Sequence, residues 1–219
     1  MKVNVYVDGF NLYYRALDRR ANDGSTNRWL NLHELATKLL PPPKYEVQLI
    51  RYFTAHVRVQ SHDAYSNQRL SRQQTYLRAL RTLPNITVHL GHFMPSQPTA
   101  KLVTPLSDGT KYVTIHKSEE KGSDVNLATY LLLDGFRNEY DCAAVITNDS
   151  DQVEAVKVVR DELKKPIGVL DPCGEDRTSR ELMQVSTFYK PIRQGVIAAS
   201  QFAPQLLDVH GTFHKPDRW

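Results

Sequence analysis

The chain has 219 residues, 41% hydrophobic and 24% charged, ordinary globular usage that excludes disorder along most of its length and suits one domain with a full core. Net charge is +4 with a pI near 9.0, which permits a polyanionic partner without establishing one. No apolar run approaches the roughly 18 residues of a membrane span and the N-terminus lacks an export signal, so a cytoplasmic protein with no membrane partner is expected.

Residues 3 to 7 (VNVYV) read as a short buried strand that gives out at Asp8, followed by a glycine and a helical pattern from Leu12 to Leu17. A second helical pattern runs from Leu32 to Leu40 and is ended by PPPKYE (41 to 46), because proline cannot continue a helix. The runs VQLIRYFTA (47 to 55), ITVHLG (86 to 91), AAVIT (143 to 147) and IGVL (167 to 170) are further strand candidates. Helical spacing separates them over Tyr65 to Leu83, Val125 to Phe136 and Val153 to Leu163. Continuous apolar strands alternating with helices predict an α/β fold, a doubly wound parallel sheet with helices on both faces.

Between 51 and 81 the basic residues Arg51, Arg58, Arg69, Arg72, Arg78 and Arg81, with His56 and His62, face few acids beyond Asp63. The choice of arginine there suggests contact with phosphate, although a merely solvated helix face explains such a run too. Residues 92 to 117 hold three prolines and an SDGT turn between valine-threonine runs, which predicts a β-hairpin arm inserted into the alternation. The regular pattern fades near residue 190, giving a main domain over 1 to 190 and a C-terminal extension over 191 to 219 that lies on the surface or docks on a partner. Cys142 and Cys173 flank apolar strand patterns and are expected to be reduced structural thiols.

Acids stand where the strands end. Asp8 closes the first strand, Asp149 and Asp151 follow AAVIT, and Asp124 falls in the first turn of the helix that begins after EEKGS, with Glu119 and Glu120 just upstream. Singly, each has a local explanation: Asp8 as a helix cap, Asp151 with Glu154 as a capping box, Asp124 as a complement to the helix dipole. Together, Asp8, Asp124, Asp149 and Asp151 are expected to converge outside the carboxyl ends of the strands, where ligands of open parallel sheets bind. Clustered carboxylates repel one another unless a cation neutralises them. An all-oxygen set suits Mg²⁺ or Mn²⁺ rather than zinc, and such ions recruit phosphate oxygens.

The stretches VYVDGFNLYY, KGSDVNLATYLL and VITNDSDQVEAVKVVRD resemble, in order and spacing, the three motifs of the NYN domain, a branch of the PIN-like nucleases. The resemblance covers residues 1 to 190 and implies a Rossmann-like sheet and metal-dependent cleavage of RNA, which is expected here to be endonucleolytic. It assigns Asp8, Asp124, Asp149 and Asp151 as metal ligands and catalytic residues, joined by Asn11 from the first motif. Many relatives carry another acid six positions after the KGxD aspartate, where this chain has Tyr130; Asp134, a turn further, faces about 80° away from Asp124 and is not expected to replace it. Asn148 stands where many relatives have glycine, a change that asparagine's tolerance of turn geometry accommodates.

The expected reaction is phosphodiester hydrolysis by a water activated on one or two ions. Lys121, Arg69, Arg72 and Arg78 are the candidate contacts to the RNA backbone, and Tyr13 and Tyr14 could stack on a base or simply belong to the core. Two alternatives stay open: a phosphohydrolase of small substrates, and a non-catalytic RNA-binding or assembly module whose site is degenerate at Tyr130. An RNA partner and a homodimer are the expected associations, the second without a motif to support it.

Overall fold

The computed structural model describes residues 1–18, 26–58, 65–173, 178–217 and 219; His62 and Asp63 of the basic segment lie outside the described residues. The chain opens with β1 (Lys2–Asp8), α1 (Gly9–Leu12) and a π-helical turn (Tyr13–Leu17), then α2 (Leu32–Leu39), β2 (Glu46–Ala55), α3 (Ser66–Leu80) and β3 (Ile86–Ser96). An arm follows, built from β4 (Thr99–Lys101), β5 (Tyr112–Thr114) and β6 (Lys117–Lys121). The second half runs α4 (Ser123–Phe136), β7 (Cys142–Ile146), α5 (Val153–Asp161), β8 (Ile167–Asp171), α6 (Arg180–Val185), β9 (Phe188–Pro191), α7 (Gln194–Ala198), β10 (Gln205–Asp208) and β11 (Gly211–His214).

Seven strands form one sheet in the order β6-β3-β2-β1-β7-β8-β9, parallel throughout except that β6 runs antiparallel to β3. The chain winds outward from β1 through β2 and β3, then returns and winds the other way through β7, β8 and β9. The strand order therefore reverses between β1 and β7, the place where a doubly wound sheet opens a crevice at its carboxyl edge.

Alternation along the central strands sends side chains to two cores. Val3, Val5 and Val7 of β1 with Cys142, Ala144 and Ile146 of β7 pack on one face against Leu12, Leu32, Leu35, Leu77 and Leu80. Tyr6 of β1 with Ala143 and Val145 of β7 packs on the other, against Leu127 and Leu131 of α4 and Val156 and Val159 of α5. Burial on both faces is why these strands read as unbroken apolar runs rather than as a polar alternation.

The segment after residue 190 is part of the same core and does not lie apart on the surface. Ile192, Ile197, Phe202 and Phe213 are buried within the first core, and Trp29 Nε1 donates to the Ala203 carbonyl (2.9 Å). The β10–β11 hairpin is clamped to α3 by Arg78, whose guanidinium donates to both oxygens of Asp208 (2.7 Å each) and lies 4.2 Å from the Phe213 ring centroid. Its partner lies 130 residues away in sequence, which no local pattern reveals. Among the described residues, no helix is long and apolar enough to cross a membrane.

Candidate active site

Asp8 is the last residue of β1 and is nearly inaccessible, at 5% exposure. Parallel pairing of β1 with β7, with Val7 opposite Ile146, brings Thr147 alongside it. The Thr147 hydroxyl donates to Asp8 Oδ2 (3.0 Å) and accepts from the Asp149 amide (3.1 Å), while the Asn11 amide donates to Asp8 Oδ1 (2.9 Å). Asp8 thus does cap α1, as a helix-start aspartate should. Gly9 lets that helix leave the strand at once: a Cβ there would lie 2.6 Å from the Phe53 carbonyl oxygen.

Asp124 arrives from a separate part of the chain. Gly122 precedes α4 with φ of 103°, a left-handed conformation that glycine adopts without strain, and so turns the chain sharply from β6 into the helix. Glu120 secures this turn by accepting from both the amide (3.1 Å) and the hydroxyl (2.8 Å) of Ser123. Asp149 follows β7 and caps a short 3₁₀ turn, Ser150–Gln152, its Oδ1 accepting from the Asp151 amide (3.1 Å).

One carboxylate oxygen from each of Asp8, Asp124 and Asp149 lies within 4.8 Å of the others. Burial pushes the Asp8 carboxyl up to about 6, and the charges of Asp124 and Asp149 push the same way against the Asn11 and Thr147 hydrogen bonds. Asp124 is raised by burial first, then by Asp149, Glu120 and Asp151. Hard oxygen donors converging from three segments, with the buried one held reluctantly as an anion, suit a divalent cation of the Mg²⁺ or Mn²⁺ type.

The structure does not bring Asp151 into this group. The 3₁₀ turn uses its backbone amide to hold Asp149 and leaves the Asp151 side chain exposed, acting on Asp124 only through its charge. The expected capping box of Asp151 with Glu154 is replaced by Asp149 as the cap, and Glu154 pairs with Lys157 (3.1 Å). Asn11 reaches Asp8 through its amide, and its side-chain oxygen accepts from the Asn148 amide (3.1 Å), tying the loop after β1 to the loop after β7. Asn148 is not in a left-handed conformation; its side chain bridges instead, donating to Cys173 Sγ (3.0 Å) and accepting from the Ser179 amide (2.6 Å).

The expected phosphate contacts divide. Lys121 pairs with Glu119 (3.1 Å), on the face of β6 opposite Glu120, and Arg78 holds Asp208 as described, so neither ammonium nor guanidinium is aimed at the carboxylate group. Arg51, part of the same basic segment, is structural too: it forks onto buried Asp134 (2.7 and 2.8 Å), which also accepts from Tyr6 Oη (2.7 Å). Tyr130 lies under that guanidinium, 4.7 Å from ring centroid to carbon, so the sixth position after Asp124 is built into this cation–π stack. Arg69 and Arg72 line an adjoining cavity together with Arg58.

Two contributors escaped the sequence reading, Arg15 and Thr147. Arg15, Glu120 and Tyr14 line the cavity of about 430 Å³ that contains Asp8, Asn11, Asp124 and Asp149. Arg15 follows Asn11 by four residues and so shares its helix face, a spacing that could have flagged it. Thr147 could have been found from the strand order, since a parallel neighbour of β1 must place a residue beside Asp8.

A doubly wound sheet with carboxylates gathered at its reversal point is the architecture of the PIN-like class. The chain belongs to the NYN domain family of that class, whose profile matches residues 2–192. It is 28% identical over 243 aligned residues to the 6-hydroxy-3-succinoylpyridine 3-monooxygenase HspA of Pseudomonas putida, covering all of this chain and 75% of that protein. A solved structure of a protein of unknown function from Vibrio parahaemolyticus shares the fold, with a TM-score of 0.52 at 17% identity, covering 88% of this chain and 93% of that one.

Proposed function

We propose that this protein is a divalent-metal-dependent ribonuclease that hydrolyses internal phosphodiester bonds. The observation that carries the reading is the meeting of Asp8, Asp124 and Asp149, from three distant segments, at the reversal point of a nuclease-family sheet. A Mg²⁺ or Mn²⁺ ion bound there supplies Lewis acidity, lowering the pKa of a water and offsetting charge on the phosphoryl oxygens. Asp8 is oriented for this by the Asn11 amide and the Thr147 hydroxyl, and Asn11 keeps the two loops in register through Asn148. Arg15, on the wall of the same cavity, places a permanent cation where a phosphodiester would sit.

The test is incubation of end-labelled single-stranded RNA with Mn²⁺ or with EDTA, beside a small phosphomonoester. Internal cleavage of the RNA with Mn²⁺, abolished by EDTA, is expected; turnover of the monoester alone would instead indicate a small-substrate phosphohydrolase.

The likeness to HspA over all of this chain and 75% of that protein, together with a cavity of about 550 Å³ lined by aromatic rings and arginines, favours a second reading, oxidation of a small aromatic acid. One atom of O₂ would enter the ring and the other leave as water, with two electrons from an added reductant. Oxygen consumption with 6-hydroxy-3-succinoylpyridine, with RNA left intact, would put this reading first.

A further inference from the structure

A second cavity, of about 550 Å³, opens beside the carboxylates and shares Phe10, Tyr14 and Phe93 with the cavity that holds them. The two are lobes of one groove. Its chemistry is the reverse of its neighbour's: among the described residues, Arg28, Arg58, Arg69 and Arg72 line it against one carboxylate, Asp18, and that carboxylate is already engaged by Arg28 (2.5 Å). Aromatic rings make up much of the remaining wall, beside Leu17, Thr54, Val57, Gln73 and Ser118. Tyr13 and Tyr14 meet edge to face at 5.2 Å, Phe10 and Phe93 do so at 6.0 Å, and Trp219 leans on Tyr76 at 5.5 Å.

Arginines and aromatic faces together fit one chemical class: a planar heterocycle joined to an anionic phosphate. The π-helical turn Tyr13–Leu17 makes the two-lobed arrangement, since it sets Tyr13 on the basic lobe, Arg15 on the acidic lobe and Tyr14 on the wall between them.

We propose that the basic lobe is the subsite for the nucleotide next to the scissile phosphate. Its base lies against Tyr14, Phe10 and Phe93, and its outer phosphate lies against Arg58 and Arg72. The proposal rests on the ribonuclease reading and adds its substrate form. A base can enter the lobe only when it is unpaired, so single-stranded RNA is the substrate and a duplex is not. No sequence-reading contact is implied, because aromatic faces accept any base.

The experiment titrates AMP and UMP into the full-length protein in EDTA, following the tryptophan fluorescence to which Trp219 contributes. Both nucleotides are expected to bind and to compete with single-stranded RNA for cleavage when Mn²⁺ is restored. Arg72→Ala is expected to weaken AMP binding about tenfold and to raise the KM for RNA with kcat little changed. Tyr14→Ala, at a side chain 65% exposed whose loss leaves the core intact, is expected to do the same. Asp149→Asn is expected to bind AMP like the parent while losing cleavage, which separates the two lobes.

Cleavage that persists while AMP fails to bind, or while Arg72→Ala and Tyr14→Ala both keep the parental KM, would overturn the subsite and leave the nuclease reading standing. Tighter binding of a pyridine carboxylate such as nicotinate than of AMP would overturn it as well. RNA left uncut by the parent with every divalent ion removes the reading beneath it, whatever AMP does.

Discussion

With Mn²⁺ at pH 7.5, Asp149→Asn is expected to cut single-stranded RNA at less than about one-hundredth of the parental rate, with its fold intact. The replacement is isosteric: an amide oxygen at 149 can still accept from the Asp151 amide, so the 3₁₀ turn that follows β7 keeps its cap. What disappears is one of three negative charges whose oxygens lie within 4.8 Å of one another. Residues that only support metal ligands change activity by about ten- to a hundredfold, so a ligand itself should exceed that. Single-turnover cleavage with both proteins purified in parallel measures it. Asp151→Asn is the internal control, because its exposed side chain lies outside the group; its rate should fall by less than about tenfold. Equal losses at 149 and 151 would mean that both carboxylates hold the ion.

The second large effect concerns stability and runs the other way. Asp8 has a folded pKa of about 6 against an ordinary 3.8, so between those values the folded state binds a proton that the unfolded state has released. Stability is therefore highest below the unfolded value and falls as pH rises through the folded one. The two-unit gap corresponds to about 3 kcal/mol once the pH is above 6. Asp8→Asn removes the titration and most of that penalty. In EDTA at pH 7.5 the variant should melt several degrees above the parent, about 2 to 4 °C per kcal/mol for a chain of this size. The advantage should vanish near pH 4. Saturating Mn²⁺ should raise the parent's melting temperature and leave Asp8→Asn little changed, because binding to the folded state adds stability by mass action. A variant that melts lower than the parent at pH 7.5 without metal would show that Asp8 is held as a comfortable anion by Asn11 and Thr147.

The strands at 3 to 7, 143 to 147 and 167 to 170 were legible because each is buried along its length and so carries a nearly continuous apolar signal, while those at 47 to 55 and 86 to 91 are only partly buried and were legible from their valine, isoleucine and leucine content. β9, Phe188–Pro191, was not. It is an edge strand of four residues, only partly buried and containing lysine, so it lacks both length and pattern. The C-terminal hairpin was illegible for another reason: its attachment depends on Arg78 meeting Asp208 and on Trp29 meeting Ala203, contacts separated by 130 and 174 residues.

At the site, the aspartates announced themselves by standing at element ends, but their orientations depend on the turns between them. Asp149 and Asp151 are equivalent in the string NDSD, and only the 3₁₀ turn decides that one faces the crevice and the other faces solvent. The basic segment misleads for a related reason. Arg51, Arg72 and Arg78 look alike in sequence, yet the first braces Asp134 in the interior, the last fastens the tail, and Arg72 lines a cavity. A charge run records how many cations there are; their partners, fixed by tertiary contacts, record what they do.

The central claim is that Asp8, Asp124 and Asp149 share a hard cation. Anomalous diffraction from a crystal soaked in Mn²⁺ tests it most directly. A peak is expected in the crevice between the ends of β1 and β7, about 2.0 to 2.6 Å from an oxygen of each of the three carboxylates, and it should disappear in a crystal of Asp149→Asn. A soaked crystal with no peak there, and with the three side chains bonded only to their own turns, would contradict it.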